Sequence, residues 1–103
     1  MISLASDDSG AASSTPGRFQ LGHVVATAGA MAKILPDEIK AALLRHHNGD
    51  WRELDEHDRN ENELGLVQNL RLFSVYRTNT GVRFYIITEH DRSITTILLP
   101  EEY

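Results

Sequence analysis

The chain of 103 residues carries 10 Lys+Arg against 15 Asp+Glu, a formal net charge of −5, with 41% hydrophobic and 24% charged residues. That length excludes a two-domain enzyme with a hinge cleft, the composition excludes wholesale disorder, and the lack of cysteine excludes disulfides, thiolate metal sites and cysteine nucleophiles. No apolar run approaches the ~18 residues of a membrane span, and no basic residue or apolar core marks a signal peptide after Met1, so a cytoplasmic protein without membrane contact is expected.

Residues 1–17 (MISLASDDSGAASSTPG) lack aromatics and are rich in Ser, Ala and Gly. Ordering costs about 1–2 kcal/mol per residue in backbone entropy alone, so a disordered tail is expected, followed by a single α+β domain over 18–103. Loose alternation over Phe19–Ala26 predicts a short edge strand, weakened by Gly22. Thr27 is placed to cap a short helix through Leu35, and Pro36 ends that helix and opens the next. In the second helix Ile39, Ala42, Leu43 and His46 repeat at i, i+3, i+4 and i+7, Asp37 and Glu38 suit the first turn, and Asn48-Gly49 stops it. Asp55 predicts the start of a third helix, whose apolar residues Leu64, Leu66, Val67 and Leu70 place its packing face in the second half.

From Arg71 the period changes to two. Leu72, Ser74 and Tyr76 alternate with Phe73 and Val75, and Val82, Phe84 and Ile86 alternate with Arg83, Tyr85 and Ile87, across a Thr78–Gly81 hairpin loop. A polar turn at Glu89–Arg92, expected to be closed by a Glu89–Arg92 ion pair, leads to a third strand over Ser93–Leu99. The predicted architecture is α+β: a helical N-terminal half packed on one face of a three-stranded antiparallel meander. That arrangement leaves Ser93–Leu99 as an unpaired edge through which a homodimer can form.

Charge is distributed unevenly. Between Asp50 and Glu63 lie seven acids (Asp50, Glu53, Asp55, Glu56, Asp58, Glu61, Glu63) and two bases (Arg52, Arg59), while the rest of the chain is neutral in sum. A negative surface repels phosphates, so direct nucleic-acid binding is not expected. The readings that remain are a docking surface for a protein with a basic surface, a mimic of the phosphate backbone, or a solvated face. The docking surface comprises Asp50, Glu53, Asp55, Glu56, Asp58 and Glu61, together with Trp51. The lone Trp either plugs the gap between helices and sheet or, if exposed, anchors a partner.

The chemistry-bearing residues offer one alternative. His47 and His57 with Asp50 and Asp58 can gather round a metal ion if the Gly49–Leu54 loop folds back, which would make the protein a small metal-dependent hydrolase or nuclease. His46 and His47 point about 100° apart on a helix and do not share an ion easily. Acid, base and hydroxyl also meet over Thr88–Ser93, but neighbours in a tight turn rarely aim at one another. There is no phosphate-cradling glycine loop, no GxSxG elbow and no expected cofactor.

The residues His47, Gly49-Asp50-Trp51, Leu54, Asp58, Asn62, Ser74, Tyr76-Arg77 and the run Ile87-Thr88-Glu89…Asp91-Arg92-Ser93…Thr95-Thr96…Leu98-Leu99-Pro100-Glu101-Glu102-Tyr103 resemble a widespread family of small bacterial proteins. Its members are carried on plasmids and integrative elements and known only as plasmid-related. The resemblance spans about residues 19–103. It departs from the family pattern at Arg52, where a small residue is usual, and at Phe84-Tyr85, where Trp is common. It implies a mobile-element cargo protein and no particular activity. Together with the acidic window, it leads to the expectation of a non-catalytic accessory protein that binds another protein, such as a host defence or DNA-processing factor.

Overall fold

The computed structural model describes residues 2–4, 17–51 and 53–103. The helix starts follow their capping residues. Thr27 caps α1 (Ala28–Lys33), its Oγ1 accepting the Ala30 N–H at 3.0 Å. Pro36 opens α2 (Pro36–His47) with Asp37 and Glu38 in the first turn, where carboxylates complement the helix dipole. Gly49, at φ 76°, takes the chain out of α2 in the left-handed region that a side chain would strain. Asp55 caps α3 (Glu56–Gln68) by accepting the Asp58 N–H at 2.8 Å, and Asn69, at φ 56°, closes it.

The five strands are β1 (Ile2–Ser3), β2 (His23–Ala26), β3 (Leu72–Arg77), β4 (Arg83–Thr88) and β5 (Ile94–Leu98), in one sheet of order β1-β2-β5-β4-β3. The expected three-stranded antiparallel meander is therefore corrected to a five-stranded mixed sheet. β3, β4 and β5 pair antiparallel in succession, but β5 also pairs with β2 in parallel, His23 opposite Ile94 and Ala26 opposite Ile97. Ser93–Leu99 is thus no open edge, because its strand lies at the sheet centre, and the dimer route through it is closed. Local alternation marks a strand but carries no information about a partner some 70 residues away, which is why the pairing was missed. The expected tail is corrected in part as well. Ile2 and Ser3 pair antiparallel with Ala26 and Val25, and Leu4 N–H donates to the Val24 carbonyl at 2.7 Å. Residues 5–16 of that tail lie outside the described residues, as does Arg52.

α1 and α2 lay Ala30, Ile34, Ile39 and Ala42 on the sheet face formed by Ala26, Tyr76, Phe84, Ile86 and Ile97. Burying each larger side chain contributes about 1.5–3 kcal/mol. Trp51, Leu54 and Val75 form a second cluster with Phe19, Leu66, Phe73 and Tyr85 around them. The C-terminal turn (Pro100–Glu102) returns to α1, where the Glu102 carboxylate accepts from the Leu99 N–H at 2.8 Å and the Thr27 hydroxyl at 2.5 Å. Gly29 makes that approach feasible, since a Cβ there would meet Glu102 Oε2 at 2.5 Å.

Of the apolar face expected for α3, only Leu66 packs, half-buried against the Trp51 cluster. The buried residues of the helix are Asn62 and Gly65, while Leu64, Val67 and Leu70 are 43%, 81% and 41% exposed. Asn62 behaves as a strand partner for the outer edge of β3. Its Nδ2 donates to the Phe73 carbonyl at 2.6 Å and its Oδ1 accepts the Phe73 N–H at 3.0 Å. Gly65 lets the helix close on Leu72, whose Cδ2 would lie 3.0 Å from an added Cβ. Arg92 fastens the other end. Its guanidinium donates to the carbonyls of Gly65 (2.9 Å), Leu70 (2.7 Å) and Glu89 (3.1 Å), joining the end of α3 to the β4–β5 turn. The expected Glu89–Arg92 ion pair is replaced by this clamp, and Glu89 instead stands 3.9 Å from Arg71.

Candidate functional site: a sealed polar chain and an acidic helix face

Two features hold chemistry, one inside and one outside. The inner one begins at His46, on the stripe of α2 that faces the sheet. Its Nδ1 lies 2.6 Å from Ser74 Oγ, its Nε2 lies 2.9 Å from Thr88 Oγ1, and Thr88 Oγ1 lies 2.8 Å from Thr95 Oγ1. Thr95 in turn donates to the Leu21 carbonyl at 2.6 Å. A hydroxyl has one hydrogen, so these contacts fix every direction. Thr95 gives its proton to Leu21, so Thr88 donates to Thr95, and His46 Nε2–H donates to Thr88. The neutral ring then leaves Nδ1 bare to accept from Ser74.

Burial drives the His46 pKa down to about 3, with the nearby charges of His47 and Arg92 pushing the same way. A serine hydroxyl on an imidazole is the pair a hydrolase uses. Here His46, Ser74, Thr88 and Thr95 are all fully buried, so no substrate reaches them, and a ring this weakly basic is a poor general base. The chain fastens α2 to β3, β4 and β5. Sequence reading had placed His46 on the inward stripe but not its hydroxyl partners, which come from three strands.

Phe19 seals this chain, its ring edge-on to His46 at 5.2 Å and nearly parallel to Trp51 at 6.4 Å. Trp51 is 2% exposed, so it is the plug between helices and sheet. Asp50 pairs with Arg45 at 3.0 Å, and Glu53 approaches Arg77 at 3.7 Å. Asp55 is the cap of α3. Glu56, Asp58 and Glu61 are exposed and, among the described residues, have no ion-pair partner.

Sequence reading missed what lies beside these acids. Glu56, Asn60, Leu64 and Val67 repeat at i, i+4, i+8 and i+11 and are all exposed, so one outward stripe of α3 runs from carboxylate to apolar side chain. The signal is present in the sequence, where apolar periodicity marks Leu64 and Val67 equally as a packing face.

Arg18 reaches the seventh acid. Its guanidinium grips Glu63 bidentately at 2.8 and 3.0 Å and lies 5.9 Å from the centre of the Trp51 ring. Arg18 holds the Glu63 carboxyl below the usual range, chiefly through its hydrogen bonds to it. With both ends about half exposed, the pair contributes under about 1 kcal/mol.

The metal alternative is not assembled. His57 is exposed on α3, whereas His47 is half-buried against Phe19 at 5.8 Å, and among the described residues no group of three or more His, Asp or Glu converges on a metal-sized space. Among the described residues, His47, Asp50, His57 and Asp58 therefore do not form the alternative metal centre. A cavity of about 140 Å³ between α2 and the β3–β4 hairpin, lined by Glu38, Arg45, Tyr76, Arg77 and Asn79 among others, is below the roughly 300 Å³ of small-molecule sites. No described helix is long and apolar enough to cross a membrane. Compared with known proteins, the chain matches no family model, no curated protein and no solved structure.

Proposed function

We propose that this protein is a non-catalytic binding module that engages another protein, one with a basic surface, through the outward face of α3. The observation that carries this reading is the outward stripe on which Glu56, without an ion-pair partner among the described residues, joins the exposed apolar residues Leu64 and Val67, with exposed Glu61 at its border. Charge steers and orients an encounter, whereas exposed apolar side chains supply the area that holds a complex together. α3 is pinned at its middle by Asn62 and towards its C-terminal end by Arg92, so the face is presented without an ordering cost. Cytoplasmic action on behalf of a mobile element, against a defence or DNA-processing factor, fits the family resemblance.

Affinity capture from native host extract tests the reading with paired variants. The wild-type chain retains a basic protein that Glu56→Lys/Glu61→Lys and Val67→Asp each release, with thermal unfolding showing that both variants stay folded. If the same protein is retained by all three, the helix face is not the docking surface and its acids only keep the chain soluble.

A further inference from the structure

The contact between Arg18 and Glu63 has the parts of a guanidinium receptor. Glu63 offers both carboxylate oxygens to the planar fork, at 2.8 and 3.0 Å. Trp51 offers its ring at 5.9 Å. Gly49 forms the floor, at φ 76°, where a Cβ would collide with the Arg18 side chain. Two separate segments, the loop after α2 and the middle of α3, thus converge on one planar cation, and the occupant is the chain's own. Arg18 is held there by its backbone, whose N–H donates to the His47 carbonyl at 2.8 Å, and not by burial of the side chain. The side chain is 42% exposed and that of Glu63 is 48% exposed, so the guanidinium can swing out into water while the backbone stays in place.

We infer that Glu63, Trp51 and Gly49 form an arginine-reading site, that Arg18 fills it in cis, and that an arginine of a basic partner displaces Arg18 in trans. The site lies on the same helix as Glu56 and Glu61, so the displaced and the incoming cation would meet the acidic face together. A lysine is a poor substitute, because its point charge has neither the fork for two carboxylate oxygens nor the plane that lies along an indole. The inference rests on the reading of α3 as a docking face for a basic protein, but its test uses no partner, so the two can fail separately.

The probe is Nα-acetyl-arginine methylamide, with the lysine counterpart as control, and the readout is the fluorescence of Trp51, the sole Trp of the chain. Arg18→Ala empties the site and should give a saturable response to the arginine probe at least tenfold tighter than that of the wild type. The lysine probe should bind at least tenfold more weakly, and adding Glu63→Gln should abolish the response. Equal behaviour of wild type and Arg18→Ala, equal response to both probes, or indifference to Glu63→Gln would each overturn the proposal. Arg18→Gln serves in the same way if the alanine variant does not fold. On the unmodified chain, the Arg18 Nε–H resonance should move towards its solvent-exposed position as the arginine probe is raised, and a resonance that does not move contradicts displacement.

Discussion

Thr95 gives its one hydroxyl hydrogen to the Leu21 carbonyl, and from that contact the proton positions along Thr88, His46 and Ser74 follow. The ring is therefore the Nε2–H tautomer, and its ¹⁵N spectrum should show a protonated Nε2 and a bare Nδ1 at neutral pH. The opposite tautomer would break the chain of donors. The same burial makes stability depend on pH. Unfolded, His46 takes up a proton near its ordinary value of 6.5; folded, it refuses one until about 3. Its contribution is complete above pH 6.5 and is lost as the pH falls from there towards 3, at up to ~1.4 kcal/mol per unit. Denaturant titrations between pH 7 and 4 should show this slope, and His46→Gln should flatten it. Truncation by His46→Ala leaves a cavity and unsatisfied hydroxyls, so it should cost about 3–5 kcal/mol, read from the same titrations.

α3 shows why part of the fold was legible and part was not. Thr27, Pro36 and Asp55 announce helix starts through local hydrogen bonding and fixed φ, so those positions could be read directly. Of the inward face of α3 only Leu66 could be, because a periodicity search looks for apolar residues and the most buried positions of this helix are an amide and a glycine. The reason lies across the sheet. The outer edge of β3 needs a donor and an acceptor at Phe73, which Asn62 supplies, and Gly65 permits the close approach. Such an edge left open invites pairing with another chain. Asn62→Ala should therefore lower stability by about 1–3 kcal/mol and produce concentration-dependent association in sedimentation. A monomer of unchanged stability would show that the amide is incidental. The parallel pairing of β2 with β5 escaped for a related reason, since nothing within His23–Ala26 specifies Ile94–Leu98 as its neighbour.

Across the whole molecule, the net charge of −5 read as one patch resolves into bound and free carboxylates. Asp50, Glu53 and Glu63 answer to Arg45, Arg77 and Arg18, bases that all lie outside the acidic window of the sequence. Among the described residues Glu56, Asp58 and Glu61 have no ion-pair partner, and Glu56 shares its stripe with exposed Leu64 and Val67, which composition alone does not place. Of the residues named from sequence, Glu56, Asp58 and Glu61 are exposed, Trp51 is buried, and Leu64 and Val67, expected on a packing face, are exposed as well. A docking face of this mixed kind should lose affinity on raising salt but keep the apolar share, so a complex that survives 1 M salt only in the presence of Val67 is expected. Carboxylate footprinting of the isolated complex addresses the docking face most directly. Carbodiimide labelling followed by mass spectrometry should find Glu56, Asp58 and Glu61 protected by the partner while Asp37 and Glu101 label as in the free protein. Equal labelling of Glu56, Asp58 and Glu61 with and without the partner would contradict a docking role for α3.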